Sequence, residues 1–199
     1  MHPNAAFRHD DRALHLALID EVGFGTIFAQ TADGPRVAHA PLLRLGEDRV
    51  QFHLSRGNAL TRHLAGAEAL AVVNGPDGYV SPRWYADQQQ VPTWNYLALE
   101  MEGCVTALPA EALAAHLDAV TAREEGRFEG DAWTTAKMDP ARLARMREGI
   151  VGFELAVGAW RPTFKLSQNK PADERARVIE GLEGRGARGL AALMRTLVP

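Results

Sequence analysis

A single cysteine, Cys104, is all the thiol chemistry that 199 residues contain. An internal disulfide framework is excluded, and so is a Cys-based metal cluster within one chain. Charge of one sign is also missing: 22 Lys+Arg stand against 25 Asp+Glu, a net of −3, so no global positive field gathers nucleic acid or anionic lipid. The longest apolar stretches are short and broken by Gly, Asp or Arg. Met1 to Asp11 carries no continuous hydrophobic segment for export or anchoring. These absences predict a soluble, cytoplasmic protein with no membrane partner. There is no internal repeat, low-complexity tract or heptad array. The seven histidines include no H-E-x-x-H or comparable ligand spacing, so no metal site is expected.

What is present is enough apolar sequence, 46%, for one substantial core or a core plus a small satellite. Asp10 can cap a helix over 11–22, in which Leu14, Leu18 and Val22 recur every fourth residue. Residues 24–54 then read as three strands divided by Asp33-Gly34-Pro35 and Gly46-Glu47-Asp48, turns short enough to imply an antiparallel meander. In the third, Val50, Phe52 and Leu54 alternate with Gln51, His53 and Ser55. A short helix is expected over 58–64, a strand buried on both faces over 69–73, and a shaped loop over the Gly/Pro-rich 75–85. Alternation resumes over 91–106, with Leu97, Leu99 and Met101 on one side and Trp94, Tyr96, Glu100 and Glu102 on the other.

Pro109 opens a helix to about residue 125 with Leu113, Leu117 and Val120 as its stripe, and a second helix follows Pro140. Val151, Phe153, Leu155 and Val157 mark one more strand, and a helical hairpin closes the chain near 173–182 and 187–197. The pattern is α+β and mainly β: six or seven antiparallel strands closing on themselves, with helices outside. The expected division is a barrel over 1–170 with inserted helices, and a C-terminal helical hairpin over 171–199 packed on the barrel or on a dimer partner.

Three constellations could carry chemistry. His53-Leu54-Ser55-Arg56-Gly57-Asn58 runs from a polar strand face into a turn and a helix N-terminus. Hydroxyl and amide donors, a guanidinium fork and free helix amides suit a phosphate monoester, and they equally suit a surface arginine beside a helix cap. Lys165, Ser167 and Asn169 share one face of a final strand with Gln168 opposite, fitting either a polar ligand edge or a solvated barrel exterior. Trp84, Tyr85, Trp94 and Tyr96 could stack on a planar ring or pack a subunit interface.

Other signals do not survive their context. Gly184-Arg185-Gly186-Ala187-Arg188-Gly189 spells a dinucleotide-binding string, but it follows a helix rather than a strand and reads as a linker. Glu100 and Glu102 have no opposed partner for acid–base work. In the last hairpin five arginines face four carboxylates over 173–196, too balanced for a phosphate-binding stripe, so the charge pattern does not support DNA as a partner.

Five blocks, in order, resemble the PaiB-like family of FMN-binding negative transcriptional regulators. They are His39-Ala40-Pro41-Leu42-Leu43, the 53–58 block, the 75–85 block, Val91-Pro92-Thr93-Trp94-Asn95-Tyr96, and Lys165-Leu166-Ser167-Gln168-Asn169. The resemblance implies an FMN-binding split β-barrel in which two chains of a homodimer jointly build two flavin sites. It implies FMN as cofactor, with His53, Ser55, Arg56 and Asn58 at the phosphate, Lys165, Ser167, Gln168 and Asn169 contributing from another strand, and Trp94 and Tyr96 near the dimer seam. Ala59 stands where the family commonly has proline. The alternatives are a flavin-dependent oxidoreductase of the pyridoxamine phosphate oxidase-like superfamily, and a haem-binding split barrel using His53 or His63 as axial ligand.

Overall fold

The computed structural model describes residues 3–198. Helix α1 (Arg12–Val22) leads into β1 (Phe24–Thr31), β2 (Gly34–Leu45) and β3 (Arg49–Ser55). A single helical turn, α2 (Thr61–Leu64), precedes β4 (Glu68–Val80) and β5 (Thr93–Ala107). Helices α3 (Ala110–Glu125) and α4 (Pro140–Glu148) come before β6 (Ile150–Lys165), and α5 (Ala172–Gly184) and α6 (Arg188–Leu197) end the chain. The six strands close into a barrel in the order β1-β2-β3-β6-β5-β4. Among the described residues, no helix is long and apolar enough to cross a membrane.

The meander forms as its turns require. Thr31 pairs with Gly34 across two residues, Gly34 adopts φ +96°, and the Thr31 hydroxyl donates to the Gly34 carbonyl at 2.7 Å. Alternation then sets the core: Ile27, Ala29, Leu42, Phe52, Phe153 and Leu155 are buried, and the paired Phe52 and Phe153 rings stack at 5.5 Å. Fully burying each of the larger ones, the Ile, Leu and Phe side chains, contributes about 1.5–3 kcal/mol. At Gly103 a Cβ would lie 1.9 Å from the Ala156 carbonyl oxygen, so β5 approaches β6 there only without a side chain.

Four sequence expectations need correction. The 75–80 segment is the second half of β4, not loop; the register with β1 covers Leu70–Val72 only, so Pro76 need not donate to that neighbour. The irregular stretch is 81–92. Ala69, Ala71 and Val73 are buried while Leu70 and Val72 are half-buried, because a barrel strand has an outer side. Helix α3 turns Leu113 and His116 inward, with Leu117 and Val120 only half-buried. Finally, β6 ends at Lys165, leaving Ser167 and Asn169 in a turn rather than on a strand face.

The described chain forms two compact units: residues 16–73 with 100–160, and residues up to 15 with 74–99 and from 161 onward. The first holds β1–β3, α3, α4 and the paired register of β3 with β6. The second holds the α5–α6 hairpin, whose Val178, Leu182, Leu190 and Met194 are buried.

Candidate functional site

In the unit of residues 16–73 and 100–160, the 53–58 block is a tightly bonded corner. The Ser55 carbonyl accepts from the Asn58 amide at 2.9 Å and from the Thr61 hydroxyl at 2.8 Å, while the Asn58 side chain accepts from the Leu60 amide at 2.9 Å. The expected array of free helix amides is therefore absent: α2 has four residues, and the nearby amides serve the turn itself. Arg56 remains. Its backbone amide donates to Gly149 O at 2.8 Å and its Nε to Glu148 O at 2.9 Å, tying the turn to the end of α4.

Of Gln51, His53 and Ser55 on the polar side of β3, only Ser55 is exposed: Gln51 is buried and donates to Glu154 at 2.9 Å, and His53 is half-buried. Its Nδ1 lies 3.0 Å from His116 Nε2 of α3, and burial pushes both imidazoles toward the neutral form, His116 down to about 4. Of this pair only His53 was singled out in the sequence; His116 sits within an apolar helical stripe and gave no signal.

The second unit contains a polar cavity of about 240 Å³ lined by Thr93, Asn95, Tyr85, Lys165, Ser167 and Asn169, among others. Asn95 shares the inward face of β5 with Leu97 and Leu99 and is fully buried. Its amide nitrogen donates to Ser167 Oγ at 2.9 Å and contacts Met194 Sδ at 3.4 Å. Ser167 has φ +60°, a left-handed conformation uncommon outside glycine. Gln168 holds that turn: its amide oxygen accepts from the Leu166 amide at 2.7 Å and its nitrogen donates to Phe164 O. Burial lowers the affinity of Lys165 for its proton; its ammonium donates to the Thr93 hydroxyl and lies 5.7 Å from the Phe7 ring. Tyr85 is pushed up by burial, partly offset by its hydrogen bond with Ser167.

The four aromatics singled out in the sequence part company in this unit. Tyr85 lines the polar cavity, and Trp84 packs against Gly181 of α5. Trp94 and Tyr96 line a different recess of about 350 Å³ on the outer side of β5, where Trp94 meets Tyr79 edge-to-face at 6.1 Å. Lys165, Ser167 and Asn169 thus come together around Asn95, which the sequence offers only as part of the 91–96 block, with no role of its own. A polar residue at an inward strand position was the available signal.

Residues 1–159 match the family described as "Putative FMN-binding domain". The chain belongs to this FMN-binding family. It is 33% identical over 184 residues to the protease synthase and sporulation protein PAI 2 of Bacillus subtilis, covering 88% of this chain and 87% of that protein, which makes it PaiB-like. The fold matches the FAD and heme binding protein of Mycobacterium smegmatis with TM-score 0.62 and 22% identity over 85% of this chain and 78% of the other. It matches the flavocytochrome Anf3 of Azotobacter vinelandii with TM-score 0.63 and 16% identity over 88% and 78%. The fold is thus the split β-barrel of flavin-binding proteins, and family membership makes FMN the cofactor.

The donor set suits that cofactor. A flavin ring carries carbonyl oxygens and a ring nitrogen that accept hydrogen bonds, and the polar cavity supplies an ammonium group, a buried carboxamide and a hydroxyl. In the other unit, Arg56 carries a guanidinium on a rigid corner, a group whose planar fork pairs with phosphate oxygens in general.

Proposed function

We propose that this chain is an FMN-binding negative regulator of transcription of the PaiB type, a cytoplasmic homodimer holding its flavin at the subunit interface. Lys165, Ser167 and Asn169 contact the polar edge of the flavin ring, with Gln168 keeping their turn in shape. Ser55, Arg56 and Asn58 serve the phosphate, His53 supports that corner, and Trp94 and Tyr96 lie near the dimer seam. Bound FMN supplies redox or light-absorbing chemistry; the protein supplies position and electrostatics.

The observation that carries this reading is the polar cavity, where a strained Ser167, a buried Asn95 and a desolvated Lys165 are kept together at a cost to the fold. The Bacillus relative, named for protease synthase and sporulation, supports a role in a cellular programme. The haem alternative gains nothing from its two axial candidates: His53 is paired with His116, and His63 lies 3.4 Å from Asp33 with Arg62 donating to it at 2.9 Å.

Titration with FMN tests the assignment. A charge-assisted contact contributes roughly 1.5–3 kcal/mol, so Arg56→Ala should weaken FMN binding about ten-fold or more. Unchanged affinity would remove the phosphate role from this turn. Steady NAD(P)H consumption by the holoprotein with an electron acceptor would instead favour the oxidoreductase reading. A salt-dependent DNA-binding assay with and without FMN separates direct from indirect regulation.

A further inference from the structure

We propose that Arg147, in the last turn of α4, joins Arg56 in holding the phosphate of FMN and so sets the preference for the phosphorylated flavin over riboflavin. The inference rests on the phosphate reading of the Ser55–Asn58 turn given above.

A cavity of about 350 Å³ in the unit of residues 16–73 and 100–160 is lined by both Arg56 and Arg147, over apolar Leu113 and Ile150. The two arginines are brought to it together, because Arg56 is fastened through its amide and Nε to the carbonyls of Gly149 and Glu148, the residues directly after Arg147. Arg147 is not satisfied there. Its Nε is buried and has no hydrogen-bond partner among the described residues. Its ion pair with Asp118 is long, 3.6 Å from Nη2, and the Asp118 carboxylate also accepts from the Thr135 hydroxyl at 2.8 Å. Glu148 also lines this cavity, and both it and Arg56 are exposed.

A buried guanidinium N–H without an acceptor costs free energy, and two guanidinium groups facing one cavity repel each other, though the exposure of Arg56 screens that repulsion. An anion between them relieves both penalties. A phosphate monoester suits the pair better than a carboxylate, since it carries close to two negative charges near neutral pH and three oxygens for two forks. Sequence reading misses Arg147, because an arginine at a helix C-terminus is what the helix dipole favours in any case.

The test compares two ligands that differ only in the phosphate. Full-length protein stripped of flavin is titrated with FMN and with riboflavin, following flavin fluorescence, for the wild type and for Arg147→Ala, Arg147→Gln and Arg56→Ala. Each Arg147 variant should bind FMN about ten-fold more weakly or worse while binding riboflavin as the wild type does. FMN affinity left unchanged, or a parallel loss of both ligands, overturns the proposal, the second outcome marking Arg147 as a structural residue. If Arg56→Ala alone loses the preference for FMN, Arg147 is removed and the turn's role stands. If only the Arg147 variants lose it, the turn's role falls and Arg147 remains the phosphate ligand.

Discussion

Both units of the chain bury a mainly apolar interior with a few polar residues in it, and they differ in where those polar residues sit: in one, His116 meets His53 and Gln51 meets Glu154 within the packing, while in the other Asn95 and Ser167 line a polar cavity. Around β1, β2, β3 and the first part of β6, the inward positions are Ile27, Leu42, Phe52, Phe153 and Leu155, a conventional apolar core. In the unit containing 74–99 and the C-terminal residues, the α5–α6 hairpin is apolar, yet beside it Asn95 and Ser167 are buried and hydrogen-bonded to each other. Apolar packing of that kind contributes stability. A buried polar cluster held by a strained turn contributes little net stability and a great deal of fixed geometry, which is what a ligand site needs.

The sharpest way to break that contrast is to cut into the apolar side. Phe153→Ala removes a fully buried ring stacked on Phe52 and should cost about 3–5 kcal/mol in denaturant unfolding. A loss below about 1 kcal/mol would show that stability resides elsewhere. A second prediction concerns a buried titratable residue of this unit, His116. Desolvation first, then the neighbouring His53 and Arg123, hold its folded value near 4 against 6.5 for the free side chain. Between those values the unfolded chain binds more protons, so stability is full above about pH 6.5 and falls as pH drops toward 4, by up to about 3 kcal/mol. Unfolding midpoints at pH 7 and pH 4.5 should show it, and His116→Leu should flatten the dependence. An equally steep loss in that variant would assign the slope to other groups.

The same contrast explains what was legible in the sequence. Strands β1 to β3, β5 and the start of β6 were readable because period-two alternation and Gly/Asp turns are local features, and Phe52 and Phe153 follow from them directly. The α5–α6 hairpin was readable for the same reason, at a period of 3.6. The second half of β4 was not, since Gly75, Pro76 and Gly78 argue for loop when no neighbour is known, and only pairing made it strand. Neither Asn95, named only within the 91–96 block, nor His116 drew a role, because each is a lone polar residue in an apolar pattern whose partners, Ser167 and His53, lie 72 and 63 residues away. The block from Lys165 to Asn169 was found, but its geometry was misread: the positive φ of Ser167 leaves no trace in a sequence with serine at that position.

That residue gives the smallest expected change in stability and the most direct separation of the two roles. Ser167→Gly lets the turn adopt φ +60° without a Cβ penalty, a gain of about 1 kcal/mol, while removing the hydroxyl bonded to Asn95 costs a similar amount. The two effects offset, so unfolding free energy should stay within about 1 kcal/mol of the wild type. On the proposed assignment of Ser167 to the flavin edge, FMN affinity should nevertheless fall about three- to ten-fold, since that contact would be lost and the turn would become floppier. The contrast between the units would fail under the opposite outcome, a loss above about 2 kcal/mol in stability with FMN binding unchanged. The polar cluster would then be part of the scaffold, and its strain would serve folding rather than the ligand.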